Sequence, residues 1–381
     1  MTARPLPIQF AGGYSDGGHH AGPKDIRSVL AQEDNLGCNS PQYLKPVRSW
    51  GNLGDANGGV AEHAVPDVAS YALHEASRRG KKEMLWRLVQ EQGFDPDEQR
   101  SDDGYTPLHV AARHGHAGSA QYLLQLGCAI EVQDYNARTP LHLGALYGHA
   151  LTCALLARWH ADMEAKDSQG CTPLHLSAVY GHAGACGLLI DHKAYVDAPD
   201  FKNRSALRCA AQYAHYGTVK LLIERQADLD FQDQKGTTAL RAAVQYGHYG
   251  TALALLQANA TVDLPDHKGR TPLRAAVQYG HYATTKLMLE SGADPSRRDK
   301  SNKTPLHAAA RFKHTGTVRL LVENGSDMDA ADHRGRTPLH SSSMYGQLGC
   351  TCALINAGPL PSTPSSFPPS LPPLRILVRV F

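Results

Sequence analysis

Apolar and polar positions in this chain alternate in a compound pattern that returns every 33 residues. Take the stretch Gly269–Gly292. A polar turn ends at Gly269, a short run rich in small apolar residues follows (Ala275, Ala276), Gly280 interrupts it, and a second run carries Leu287 and Leu289 before Gly292. The pairs Leu155–Leu156, Leu188–Leu189 and Leu221–Leu222 occupy the same places in other copies, and Thr271 recurs as Thr106, Thr139, Thr172, Thr238, Thr304 and Thr337, with Ser205 filling the remaining slot. A fixed period of this length marks a stack of supersecondary units, because one unit cannot bury its apolar face alone and its neighbours complete the core.

The residues predict the structure of the unit. The turn from Asp266 to Gly269 needs a left-handed fourth position. That slot holds Gly104, Gly170, Gly236, Gly269 and Gly335, or Asn203 and Asn302, the residue types that tolerate positive φ best; Ala137 is the exception. Thr271 caps a first helix, and Pro272 sits where its missing N–H costs nothing. The small residues let a neighbour approach closely. Gly292 ends a second helix as a C-terminal glycine. The third to sixth units carry His160, Lys193, Gln226 and Asn259 in that terminal slot, where a non-glycine residue held left-handed costs roughly 1 kcal/mol.

The motifs Thr106-Pro107-Leu108-His109, Thr139-Pro140-Leu141-His142, Thr172-Pro173-Leu174-His175, Thr304-Pro305-Leu306-His307 and Thr337-Pro338-Leu339-His340, with Gly-His pairs at 115–116, 148–149, 181–182, 247–248 and 280–281, resemble those of ankyrin repeats. The resemblance implies an all-α ankyrin-repeat solenoid with hairpin-like turns. It covers nine repeats over residues 70–358, the first and last atypical. In the first, Leu73-His74-Glu75-Ala76 matches the motif, Tyr71-Ala72 replaces Thr-Pro, and the step to Leu108 is 35 residues. Arg78-Arg79-Gly80-Lys81-Lys82 falls at the expected inter-helix loop and reads as a solvated cap in preference to a nuclear-import patch.

Both flanks lack periodicity. Residues 1–69, with Gly12-Gly13, Gly17-Gly18 and Gly58-Gly59, are expected to be disordered. Residues 359–381 form a Pro/Ser-rich tail containing a minimal P-x-x-P (Pro369 to Pro372) and an apolar end, 374–381, expected to dock on the outer helix of the last repeat.

Composition narrows the function classes. The net charge of +2 argues against nucleic acid as a partner, and no apolar run reaches membrane-spanning length. No Cys-x-x-Cys pair occurs among the eight cysteines; Cys153, Cys186, Cys209, Cys350 and Cys352 read as small apolar residues of an intracellular protein, cytoplasmic with the nucleus also open. Histidine is frequent, at 21 residues, but six occupy the motif slot and seven the slot after the helix break. Same-slot side chains then sit about 8–10 Å apart, too far to share a zinc ion. They are expected to hydrogen-bond loop backbone, with no metal or other cofactor. No nucleophile elbow, phosphate loop or supported carboxylate pair points to an enzyme, and neither flank is long enough for a catalytic domain.

One column stands out. The last residue before the helix break is Tyr147, Tyr180, Tyr213, Tyr246, Tyr279, Phe312 and Tyr345 in seven successive repeats. In the ankyrin family this slot and the one before it face the concave surface and often touch partners. Rings one repeat apart, at about 8–10 Å, exceed the 4.5–7 Å of an aromatic pair, so neighbouring side chains or a ligand must lie between them. Six steps span roughly 50–60 Å, room for an extended peptide of about 15–18 residues. In the three central repeats Arg208, Arg241 and Arg274 replace the motif histidine, with Gln212, Gln245 and Gln278 four residues on along one helix face. Either each arginine serves the loop carbonyl that histidine serves, or the three form a cationic ladder for an acidic segment. The expected function is a monomeric protein-interaction module using the concave face. The alternative is a ubiquitin-ligase substrate adaptor, for which residues 359–381 would have to supply a truncated SOCS box.

Overall fold

A computed structural model describes residues 71–357. The expected disorder of residues 1–69 and the docking of 374–381 lie outside the described residues.

Eighteen helices and no strands occur among the described residues, in nine pairs. The pairs are α1 (Ala72–Arg78) and α2 (Lys82–Gln90), α3 (Pro107–Arg113) and α4 (Ala117–Gln125), α5 (Pro140–Leu146) and α6 (Ala150–Arg158), and α7 (Pro173–Val179) and α8 (Ala183–Asp191). Then come α9 (Ala206–Gln212) and α10 (Tyr216–Glu224), α11 (Ala239–Gln245) and α12 (Tyr249–Gln257), α13 (Pro272–Gln278) and α14 (Tyr282–Glu290), α15 (Pro305–Arg311) and α16 (Thr315–Glu323), and α17 (Pro338–Met344) and α18 (Leu348–Ala357). Each first helix packs on the first helices before and after it and on its own second helix. Small residues such as Ala111, Ala210, Ala243, Ala276 and Ala309 are fully buried in these contacts, and the leucines of both helices complete one continuous core. The basic run at 78–82 spans the end of α1, the loop 79–81 and the start of α2, with Gly80 at φ +68° and Glu75 bonded to Arg78 at 2.6 Å.

Two sets of histidines sew each repeat to the next. The Thr106 N–H donates to His109 Nδ1 at 3.2 Å, and the His109 N–H returns to Thr106 Oγ1 at 3.3 Å. With Nδ1 accepting, the ring proton sits on Nε2, which donates to the Arg138 carbonyl of the following turn at 2.9 Å. His142 reaches the Cys171 carbonyl, His175 that of Arg204, and His307 that of Arg336, at 2.8–3.0 Å. The second set points backwards. His116, His149, His182, His215, His248, His281 and His314 each bond a carbonyl 36 or 38 residues earlier, at 2.8–3.0 Å. Glycine before the break makes room for this: a Cβ on Gly148 would lie 2.6 Å from the His182 ring. The motif histidines therefore serve turn backbone, as expected, whereas the histidines after the break reach the last carbonyl of the preceding repeat's first helix, which corrects the expectation that they too serve loop backbone; no cluster of three metal-ligating side chains occurs among the described residues.

Ala137, Asn203 and Asn302 are left-handed in the turn slot, as expected, at φ +57°, +55° and +61°. So are His160, Lys193, Gln226 and Asn259 at the ends of second helices, at φ +63°, +72°, +60° and +67°. Two left-handed residues fall where the sequence pattern gave no warning, Ala214 and Lys313 at the helix break. Cys153, Cys186, Cys209 and Cys350 are buried and Cys352 partly so; burial pushes the Cys153 thiol up to about 12 and Cys186 to about 11.

Burial holds the His109 and His142 imidazoles down at about 4, against an ordinary 6.5. They are neutral in the fold, while the unfolded chain takes up protons below that ordinary value, so their contribution is complete above it and is lost as pH falls towards 4. Each such histidine should remove about 1.4 kcal/mol per pH unit in that window. Urea titrations from pH 7 to 4.5 should show the decline, and His142→Gln, although less stable at pH 7, should show a shallower one. Lys193→Gly should relieve the left-handed strain and raise stability by about 1 kcal/mol, read as a higher urea midpoint at unchanged m-value.

Candidate partner-binding face

The seven aromatic residues of the column are each the C-cap of a first helix. Tyr147, Tyr180, Tyr213 and Tyr246 are half-buried, while Tyr279, Phe312 and Tyr345 are exposed at 41%, 41% and 46%. The column opens towards the C-terminal repeats. Side chains from neighbouring slots pack on several of these rings, and Arg311 lies between Phe312 and Tyr345. Tyr213, Tyr246 and Tyr279 lie against His215, His248 and His281, with ring centroids 6.3, 6.0 and 6.4 Å apart. Arg113 covers Tyr147 at 5.2 Å, and Arg311 covers both Phe312 at 5.2 Å and Tyr345 at 4.8 Å. Burial pushes the Tyr180 phenol up to about 12 and the Tyr213 phenol higher still, so both hydroxyls stay protonated.

The three arginines of the central repeats do something that neither sequence reading anticipated. Arg208 meets Asp233 at 3.0 Å, Arg241 meets Asp266 at 3.0 Å and Arg274 meets Asp299 at 3.1 Å. Each aspartate is the first residue of the following turn. The arginine thus reaches the next repeat as histidine does, but lands on a carboxylate instead of a carbonyl, because its side chain is longer and forked. Arg208 and Arg241 are buried, and Arg274 nearly so. Their charges are engaged inside the stack, which corrects the picture of a cationic ladder facing a partner. Burial pulls Arg241 and Arg274 down, against the upward pull of Asp266 and Asp299, and buried Asp266, which burial alone would raise, is held down by Arg270 and Arg241.

The glutamines divide. The Gln212 side chain is buried, accepts from Arg208 and donates to the Tyr213 hydroxyl at 3.1 Å. Gln245 is half-buried and accepts from Arg241 at 3.3 Å. Gln278 is half-buried, and Nη1 of Arg274, which would match that bond, is buried without a partner. Of the thirteen residues singled out by pattern, the aromatic seven and the last two glutamines reach the surface. Arg274 is nearly buried, and Arg208, Arg241 and Gln212 are buried.

The sequence reading missed a second aromatic row. Tyr216, Tyr249 and Tyr282 open the second helices of the same three repeats and are exposed at 52%, 45% and 50%. Rings of this row lie over small residues one repeat on: a Cβ on Gly316 would come 3.7 Å from Tyr282 Cδ2. The signal was present as His-Tyr in three repeats where Ala117, Ala150 and Ala183 hold the slot elsewhere.

Comparison with known proteins decides the family. The family description "Ankyrin repeats (3 copies)" matches residues 73–167, 151–233, 216–299 and 294–363. The chain belongs to the ankyrin-repeat family. Among solved structures it is similar to the ankyrin repeat domain of Bcl-3, described as a unique member of the IkappaB family, at 30% identity and TM-score 0.51, covering 55% of this chain and 95% of that one. It is also similar to the human transient receptor potential cation channel subfamily A member 1, 30% identical over 115 residues, 30% of this chain and 10% of the channel. Mouse protein phosphatase 1 regulatory subunit 27 is 43% identical over 56 residues, 15% of this chain and 35% of the relative. The chain therefore spans a tenth and about a third of these two relatives. Ankyrin repeats are non-enzymatic interaction scaffolds, so the fold is that of a protein-interaction module. No helix among the described residues is long and apolar enough to cross a membrane.

The arginine–aspartate pairs yield a graded expectation. Asp266 is bracketed by Arg241 and Arg270, whereas the turn of Asp233 offers Thr237 in place of an arginine. Arg208→Ala should leave the Asp233 carboxylate without its guanidinium and cost about 3–5 kcal/mol. Arg241→Ala should cost visibly less, because Arg270 stays on Asp266. Urea denaturation of the two variants at pH 7 checks the order.

Proposed function

We propose that this chain binds an extended segment of a protein partner along the concave face lined by its first helices and turns, with the aromatic column as the principal contact. The observation that carries the reading is the exposure of Tyr279, Phe312 and Tyr345 at 41–46% on the C-caps of consecutive first helices. Core packing would not leave three large rings in water on one line of the stack, and tyrosine is enriched among binding hot spots. The flanking Tyr216, Tyr249 and Tyr282 widen the apolar surface in the central repeats. The adaptor alternative depends on residues 359–381, outside the described residues, and no observation favours it.

The test is affinity capture with mass spectrometry on wild type and on Tyr213→Ser/Tyr246→Ser/Tyr279→Ser, the variant first shown by circular dichroism to keep its helix content. A partner held by wild type and lost from the folded variant is the expected outcome. Capture that survives the substitutions would make the column packing alone and overturn the reading.

A further inference from the structure

Charge on the partner-facing side is strongly polarised along the stack. This side consists of the turns and the first helices that follow them. In the last five repeats it comprises residues 200–212, 233–245, 266–278, 299–311 and 332–344. These hold thirteen lysines and arginines against five aspartates, a surplus of eight positive charges in a chain whose net charge is +2. The five aspartates, Asp200, Asp233, Asp266, Asp299 and Asp332, are turned inward and bonded to arginine or to turn backbone. What these turns show to solvent is basic: Lys235, Lys268, Lys300 and Arg334 are exposed at their tips, and Arg311 is exposed in the aromatic column. The same surface in the three preceding repeats, residues 101–113, 134–146 and 167–179, holds Arg113 and Arg138 against Asp102, Asp103, Asp134 and Asp167, a deficit of two.

Compensating acids lie elsewhere. Asp197, Asp230 and Asp263, in the loops after the second helices, accept from backbone N–H groups one repeat on, at 2.9–3.0 Å. The turn tips are themselves locked into a row. The Gln234 N–H donates to the Lys202 carbonyl at 3.0 Å, His267 to Lys235 at 3.1 Å, Lys300 to Lys268 at 3.1 Å and His333 to Ser301 at 3.3 Å. One basic side chain therefore recurs per repeat, about 8–10 Å apart, with Lys300 one turn position earlier than Lys235, Lys268 and Arg334. An extended chain in the polyproline conformation rises about 9.3 Å per three-residue turn and returns one side chain to the same face each turn.

We infer that the partner segment is acidic, carries a carboxylate at about every third position, and lies with those carboxylates on the turn tips of the last five repeats while its intervening side chains meet the aromatic column. The inference rests on the concave-face reading and adds the chemistry of the ligand. A protein segment fits better than a nucleic acid, because a peptide can set apolar side chains on the exposed rings of Tyr279, Phe312 and Tyr345 between its carboxylates. The arginines at 208, 241 and 274, paired internally, contribute nothing to this surface; the tips do.

The probe is a fluorescein-labelled (Glu-Pro-Leu)5 peptide, followed by anisotropy with the full chain, beside (Lys-Pro-Leu)5 and a fifteen-nucleotide oligouridylate. Wild type should bind the glutamate peptide and not the lysine peptide, and should lose about ten-fold in affinity between 50 and 300 mM salt. Lys268→Glu/Lys300→Glu/Arg334→Glu should bind at least about ten-fold more weakly. Lys268→Gln/Lys300→Gln/Arg334→Gln, with melting midpoint matched to wild type, should fall between the two and excludes misfolding as the cause. Absence of binding to wild type, tighter binding of the RNA, or equal binding by the charge-reversed protein overturns the inference. The tyrosine-to-serine variant run in parallel separates the two readings. Binding lost on charge reversal but kept by the serine variant upholds the acidic segment and removes the aromatic column; the opposite pair of results does the reverse.

Discussion

The structure depends on imidazoles that each satisfy a backbone carbonyl in an adjacent repeat. A single repeat has helices of seven and nine residues, too short to persist alone. Apolar burial is non-directional and would tolerate sliding between such units. A ring nitrogen at 2.8–3.0 Å from one carbonyl does not. The motif histidine reaches forward to the next turn and the histidine after the break reaches back, so each interface between repeats carrying both is pinned on two edges. The motif histidine does this with its proton on Nε2, which the capping-box bond to Nδ1 ensures, and the histidine after the break lies over a left-handed residue, glycine in most repeats.

Where the motif histidine is absent, the stack replaces a dipolar bond with a charged one. Arginine in three successive repeats lands on the turn aspartate of the next repeat. That aspartate in other turns is held by the arginine four residues on, as Asp134 by Arg138 and Asp200 by Arg204. The same carboxylate thus serves as a local turn brace or as an inter-repeat anchor, and Asp266 does both. Buried ion pairs of this kind specify register more than they add stability, which suits a tandem block of three near-identical repeats that could otherwise pair out of step.

Consumption of charge inside the stack also shapes the surface. Because each turn aspartate is spent inward, the lysines beside it determine what the turn shows to water. Because the helix caps are aromatic, rings line the stack next to those turns, with Arg113 and Arg311 lying across some of them. A basic rim beside an aromatic floor follows from the same packing that holds the repeats together.

Repeat number, fold, capping threonines, left-handed turn positions and the structural role of the histidines were all legible in the residues, because each depends on local chemistry repeated at a fixed period. The aromatic column was legible as a column. Its gradient of exposure was not, since that depends on how the surrounding side chains of adjacent repeats close over each ring. Pattern alone could not show where Arg208, Arg241 and Arg274 point, because their aspartate partners lie 25 residues downstream and become neighbours only when the next repeat stacks. Nor could it show that Tyr216, Tyr249 and Tyr282 remain in water. A period records what every repeat does to itself; what one repeat does to the next is decided by side-chain reach across the interface, and that exists only in the folded stack.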